Sequence, residues 1–201
     1  MIVGITGGLA CGKSTAGKMF GAEGFGVVDA DAVVRDLLDG DSEVREAVAS
    51  RYDGRAGGRE GAVDRAALAE IVFSSREELM WLETLLHLRV VRAWRERVAG
   101  EPGRPWAVQV PLLFEVNLQG EFDVTVCVAA DPAVARERLD QCAMPSRQVE
   151  ARMARQFSVE KKMERADYVI ENSGSSRFLR DQIVPLIREE ILMRERQRNH
   201  D

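Results

Sequence analysis

Nine residues near the start of the chain, Gly7-Gly8-Leu9-Ala10-Cys11-Gly12-Lys13-Ser14-Thr15, combine glycines, a lysine and two hydroxyls in a spacing that suits a phosphate chain. Glycines at both ends of Gly-x-x-x-x-Gly-Lys-Ser let the backbone curl, so that successive N–H groups point into one concavity. A helix opening at Lys13 adds a partial positive charge there. Lys13 then reaches the β- and γ-phosphates, and the Ser14 hydroxyl takes a Mg2+ ligand position. The candidate ATP-binding set is Gly8, Ala10, Cys11, Gly12, Lys13, Ser14 and Thr15. Cys11 needs only its N–H for this; a redox role for its thiol at a helix start is the other reading.

A second group of acids lies further on. Val28-Asp29-Ala30-Asp31 places two carboxylates two residues apart at the end of an apolar run. If the chain stays extended, residues i and i+2 point to the same face, so both acids are expected to face the γ-phosphate. A carboxylate there accepts a proton from an acceptor hydroxyl, or holds Mg2+ through water. Asp31 is the catalytic candidate beside Lys13. The plainer alternative is that one of the pair caps a helix beginning at Ala32.

A third group is basic. Residues 136–165 read RERLDQCAMPSRQVEARMARQFSVEKKMER and carry Arg136, Arg138, Arg147, Arg152, Arg155 and Arg165 around a break at Met144-Pro145. Such a segment suits a lid that closes over a transferring phosphoryl group and excludes water. The alternative is a pair of charged helices with a solvated face.

These groups need elements to hold them. Ile2–Thr6, Gly26–Asp29, Trp106–Val110, Val124–Ala129 and Tyr168–Ile170 are short, nearly continuous apolar runs. Strands buried on both faces read that way and belong to parallel sheets covered by helices. A helix is expected from Lys13 to about Glu23, stopped by Gly24. Asp131-Pro132 marks another helix start. Ser74-Ser75-Arg76-Glu77 matches a capping box, Ser then Glu three on, ahead of Leu79, Leu82, Leu85 and Leu86. Gly100 to Pro105 ends that helix. The expected fold is α/β, a doubly wound parallel five-stranded sheet of the P-loop NTPase type. The stretch from Asp29 to Trp106 is about 75 residues, where a crossover needs about a dozen. It therefore reads as a helical insert, interrupted by the glycine-rich stretch 54–61, that leaves the ligand-binding edge of the sheet. The expected parts are a core of 1–31, 105–135 and 166–201, a substrate-binding insert of 32–104 and a lid of 136–165.

Bulk composition narrows the classes. Of 201 residues, 45% are apolar and 30% charged, with 28 basic against 33 acidic, net −5. That is ordinary globular usage, and it is a poor basis for generic nucleic-acid binding. Three cysteines without metal spacing suit a reducing compartment. No signal peptide and no membrane span is expected, so the expected location is cytoplasmic. A switch GTPase would carry Asp-x-x-Gly and Asn-Lys-x-Asp strings, and neither occurs. Nor does the third strand end in a magnesium-binding Asp; it reads Val108-Gln109-Val110-Pro111. The residues favour a two-substrate kinase. Another small-molecule or nucleoside monophosphate kinase, or a weakened regulatory relative, stays open.

Taken together, GITGG…GKST, VVDADAVVRDLL, DRAALAEIVF, LETLLH, VPLLFE and RMARQFSVEKKMERADYVIENSGS resemble the dephospho-coenzyme A kinase family. The match runs in order from Met1 to about Leu186. The resemblance implies ATP- and Mg2+-dependent phosphorylation of the ribose 3′-hydroxyl of dephospho-CoA. It implies Asp31 as the base, the insert as the holder of dephospho-CoA, and Asn172 near the adenine of ATP. It places Asp29, Arg65, His87, Arg147 and Arg152 at the acceptor and lid. The expected partner is that small molecule alone, with no nucleic acid or membrane, and the chain is expected to be a monomer. Three positions depart from the family pattern: Cys142 where an arginine is usual, Leu88 after His87 where proline is usual, and Gln109 where aspartate is usual. The arginine's role would pass to Arg147 or Arg152.

Overall fold

The computed structural model describes residues 1–58, 61–142 and 144–193. Its five strands are β1 (Ile2–Gly7), β2 (Gly26–Asp29), β3 (Trp106–Gln109), β4 (Val124–Ala129) and β5 (Tyr168–Glu171). They pair entirely in parallel in the order β2-β3-β1-β4-β5. That is the expected doubly wound α/β sheet. β3 and β4 are buried along their whole lengths, which explains why both runs are apolar without alternation.

The chain divides into two compact units: residues 1–29, 101–144 and 152–201, and residues 30–100 with 145–151. The first holds the sheet with α1 (Lys13–Ala22), α6 (Pro132–Asp140), α8 (Val159–Met163) and α9 (Ser176–Pro185). Its core joins Val3, Ile5, Phe20, Phe25, Val126 and Ile170 to the C-terminal helical face of Leu179, Ile183 and Ile187. Asp131 accepts a bond from the Ala133 N–H ahead of Pro132, as the sequence indicates for the start of α6.

The second unit is built on α2 (Ala30–Gly40), α3 (Ser42–Tyr52), α4 (Arg65–Val72) and α5 (Arg76–Gly100). Val44, Val48, Tyr52, Leu68 and Leu86 form its own core, with Leu79, Leu82 and Leu85 packed against it. The start of α5 differs from expectation by one residue. The Ser75 hydroxyl accepts the Glu78 N–H, while the Ser74 hydroxyl donates back to the Ile71 carbonyl and closes the preceding helix. α7 (Ser146–Arg155) runs through the boundary, with residues 145–151 in the second unit and Arg152 onward in the first. The arginine-rich stretch is thus shared between the units. Among the described residues no helix is long and apolar enough to cross a membrane.

Candidate active site

β1 delivers the chain into the loop Gly8–Gly12, and α1 starts directly after it. Gly7 passes so close to β4 that a Cβ on it would lie 2.1 Å from the Val128 carbonyl oxygen. Gly12, at φ +93°, forms the N-cap of α1 and offers no side chain to its N–H groups. The first N–H groups of a helix have no intrahelical acceptor, so a polar, uncapped helix end faces the loop. Lys13 Nζ donates to the carbonyls of Gly7 and Gly8 at 3.1 and 2.8 Å, which holds the cation over the loop. Ser14 and Thr15 are exposed in the first turn. The donors needed to cradle phosphates are therefore assembled in one turn of chain, and the exposed Ser14 hydroxyl is an oxygen of the kind that could serve as one ligand to Mg2+.

Cys11 is buried under this loop, 1% exposed. A Cβ on Gly8 would lie 2.8 Å from its sulfur. Cys127 on β4 is also buried, and burial pushes its thiol up to about 11, against a smaller opposing pull from the nearby Lys162 ammonium.

Asn172 follows β5. Its N–H donates to Ala129 and its buried side-chain amide donates to the Cys11 carbonyl at 2.8 Å. Asn172 thus sits against the loop itself; this amide nitrogen is engaged by backbone. Arg138 on α6 approaches from another side, donating to the Ala10 carbonyl at 3.5 Å. The sequence places Arg138 in the basic segment without singling it out. The signal was its place seven residues after the Asp131 cap, two helical turns along, which returns it to the cap's side of α6.

The acid pair differs from expectation. Asp29 ends β2, in register with Gln109 on β3. The chain turns helical at Ala30, so Asp31 lies in the first turn of α2 rather than on an extended run. The same-face argument from i and i+2 does not apply, and the alternative helix start at Ala32 does not occur either. Asp31 is exposed, two residues after the end of β2 in the chain. Gln109 itself is 6% exposed and lies against α1, where a Cβ on Gly17 would meet its amide at 2.5 Å.

Arg65, His87 and Arg147 fall in the second unit, whereas Arg152 and Cys142 belong to the first. Arg65 pairs with Asp39 at 3.4 Å. His87 is half-buried on α5, with the exposed Leu88 beside it. Arg147 donates to the Ser74 carbonyl at 3.4 Å. Cys142 is exposed and unbridged. Among the described residues no group of three or more His, Cys, Asp or Glu is placed to hold a metal ion.

A glycine loop between a parallel strand and an uncapped helix, with lysine and serine at its rim, defines a P-loop nucleotide-binding protein. Comparison with known proteins narrows this. The dephospho-CoA kinase family model matches residues 1–177. A dephospho-CoA kinase from Thermosynechococcus vestitus is 37% identical over 183 residues, covering 90% of both chains. One from Prochlorococcus marinus is 38% identical over 189 residues, covering 90% of this chain and 92% of that one. The crystal structure of TT1252 from Thermus thermophilus superposes with a TM-score of 0.78 at 31% identity, over 94% of this chain and 97% of that one. The chain belongs to the dephospho-CoA kinase family.

Proposed function

We infer that this chain transfers the γ-phosphoryl group of ATP to the ribose 3′-hydroxyl of dephospho-CoA, giving coenzyme A and ADP. The carrying observation is that a family match over residues 1–177 coincides with an intact phosphate loop whose helix end is left uncapped by any side chain.

The chain's residues divide the work as follows. Backbone N–H groups from Gly8 to Ser14 and the α1 N-terminus hold the phosphates. Lys13 moves from the loop carbonyls to the β/γ-phosphates as they arrive. The Ser14 hydroxyl would hold Mg2+, which would supply charge neutralisation on the transferring group. Asp31 takes the 3′-hydroxyl proton as that oxygen bonds to the γ-phosphorus, and the β–γ bridging oxygen leaves with ADP. Asp29 supports Asp31 from the end of β2. Arg65, His87 and the second unit hold the acceptor. Arg147 and Arg152 serve the closing segment, and one of the two takes the role that the resemblance gives to an arginine at the position of Cys142. Little covalent chemistry is required; positioning and charge stabilisation carry the rate. We propose in addition a cytoplasmic location and a monomeric state; the acceptor is a small molecule.

The test is a coupled ADP-release assay over dephospho-CoA, nucleoside monophosphates, shikimate and gluconate. ADP release with dephospho-CoA alone is expected. Release only with another acceptor, or only without one, would replace this reading.

A further inference from the structure

Lys162 is fully buried and has no part in the reaction as derived above. Burying an ammonium is costly unless it is paired and well bonded. Its Nζ lies 3.0 Å from Glu115 Oε1 and donates to the Pro111 carbonyl at 2.5 Å. Glu115 is itself 8% exposed, and its Oε1 also accepts the Phe157 N–H at 2.7 Å. One carboxylate oxygen therefore grips the chain both before α8 and within it. The Pro111 carbonyl also accepts the hydroxyl of Thr6, which is buried and directly precedes Gly7.

These bonds meet at the phosphate loop. α8 has five residues, too few to be stable on its own. Tertiary bonds must fix its place. It lies against the loop closely enough that a Cβ on Gly8 would be 2.5 Å from Val159 Cγ2. A buried ion pair adds little stability over a well-packed apolar pair, but its directional bonds admit few arrangements. We propose that Lys162 is a positioning residue for phosphoryl transfer: it ties α8 through Glu115 and Pro111 to the base of the phosphate loop, keeping Val159 seated on Gly8. It thereby anchors the trailing end of the arginine-rich segment to the loop. The sequence hides this function, because Lys162 reads there as one more charge in a solvated run.

The activity assay of this proposal rests on the kinase reading. Lys162→Met, Lys162→Arg and the double variant Glu115→Leu/Lys162→Met are compared with the unaltered chain, each well below its own melting temperature. The readouts are Tm, kcat, both KM values, and ATP hydrolysis without acceptor relative to transfer. Lys162→Met is expected to lower Tm and to cut kcat about tenfold or more, as a small misplacement of reacting groups does. KM for ATP should move far less, and the hydrolysis ratio should rise. Lys162→Arg should recover part of kcat. The double variant should regain Tm without regaining kcat. Full kcat in the double variant, or in a folded Lys162→Met, overturns the proposal. If Lys162→Met does not fold, the other two variants decide it. If the unaltered chain does not phosphorylate dephospho-CoA, the kinase reading alone fails. Amide exchange over 157–163 then decides: faster exchange in the folded variants supports the anchor, and unchanged exchange overturns it.

Discussion

The side-chain amide of Asn172 donates to the carbonyl oxygen of Cys11 at 2.8 Å, and a Cβ on Gly12 would meet that same nitrogen at 2.0 Å. The residue after the edge strand therefore props up the phosphate loop from within the protein. It occupies the space that a Cβ at Gly12 would fill. Loop shape and sheet edge are linked by one buried bond.

Asn172→Ala should leave the Cys11 carbonyl without its donor. A loss of about 1–2 kcal/mol in stability is expected, with a severalfold rise in KM for ATP. Thermal melts and ATP titration by calorimetry measure both. Asn172→Asp should do worse, because it sets an acceptor against an acceptor. Unchanged ATP affinity in either variant would mean the loop keeps its shape unaided.

Asp31→Asn should cut turnover roughly 100-fold, as expected for loss of a positioned base. ATP binding should be unchanged, since the loop residues are untouched. Steady-state kinetics with direct ATP titration separates the two, and full turnover in the variant would move the base to another residue.

The second unit carries a pH signature. Glu78 accepts two bonds from the Arg51 guanidinium and one from the Tyr52 hydroxyl. Those bonds, Arg51 first, hold its carboxyl below the ordinary value. Burial first, then the bond to Glu78, pushes Tyr52 up to about 12. A lowered carboxyl stabilises above its unfolded pKa, about 4.3, and that contribution fades as pH falls through the folded value. A raised phenol stabilises fully below its unfolded pKa, about 10, and its contribution fades as pH climbs from there through about 12. Tm measured against pH should therefore drop at both ends. Tyr52→Phe should flatten the alkaline drop and leave most of the acid one, because Arg51 remains.

Thiol labelling should find one fast site. Cys142 is exposed, whereas Cys11 and Cys127 are buried, and the Cys127 thiol is held well above neutral pH. Mild alkylation of the folded chain should modify Cys142 alone, read by mass spectrometry. Cys142→Arg should keep or raise activity, if the arginine that the sequence resemblance implies at this position serves the lid.

Much of the fold was legible because its signals are local. Continuous apolar runs gave the five strands, and Asp131-Pro132 gave a helix start without any tertiary information. The phosphate loop was legible for the same reason, since a backbone nest is built from consecutive residues. The acid pair was not. Whether Asp29 and Asp31 share a face depends on where α2 starts, and it starts at Ala30 with no linker after β2. The cap at Ser75 shows a one-residue version of that limit, with Ser74 recruited by the helix before it. Arg138, Glu115 and Lys162 act on residues 128, 42 and 51 positions away. No spacing rule reaches that far.

The block ADYVIENSGS reads in sequence as one unit, yet the chain puts Asp167 and Asn172 within it to opposite uses. Asp167 accepts the Thr125 N–H and hydroxyl, both at 2.7 Å, where β4 begins. Asn172 lies past the far end of β5, on the loop. Five residues of extended chain separate them by roughly 17 Å. A genetic screen scoring only loss of activity would rank the two as equals, and a map drawn from it would stretch the active site down the whole edge of the sheet. Refolding yield would tell them apart: the floor of the sheet is an assembly joint, and only its upper rim is a tool.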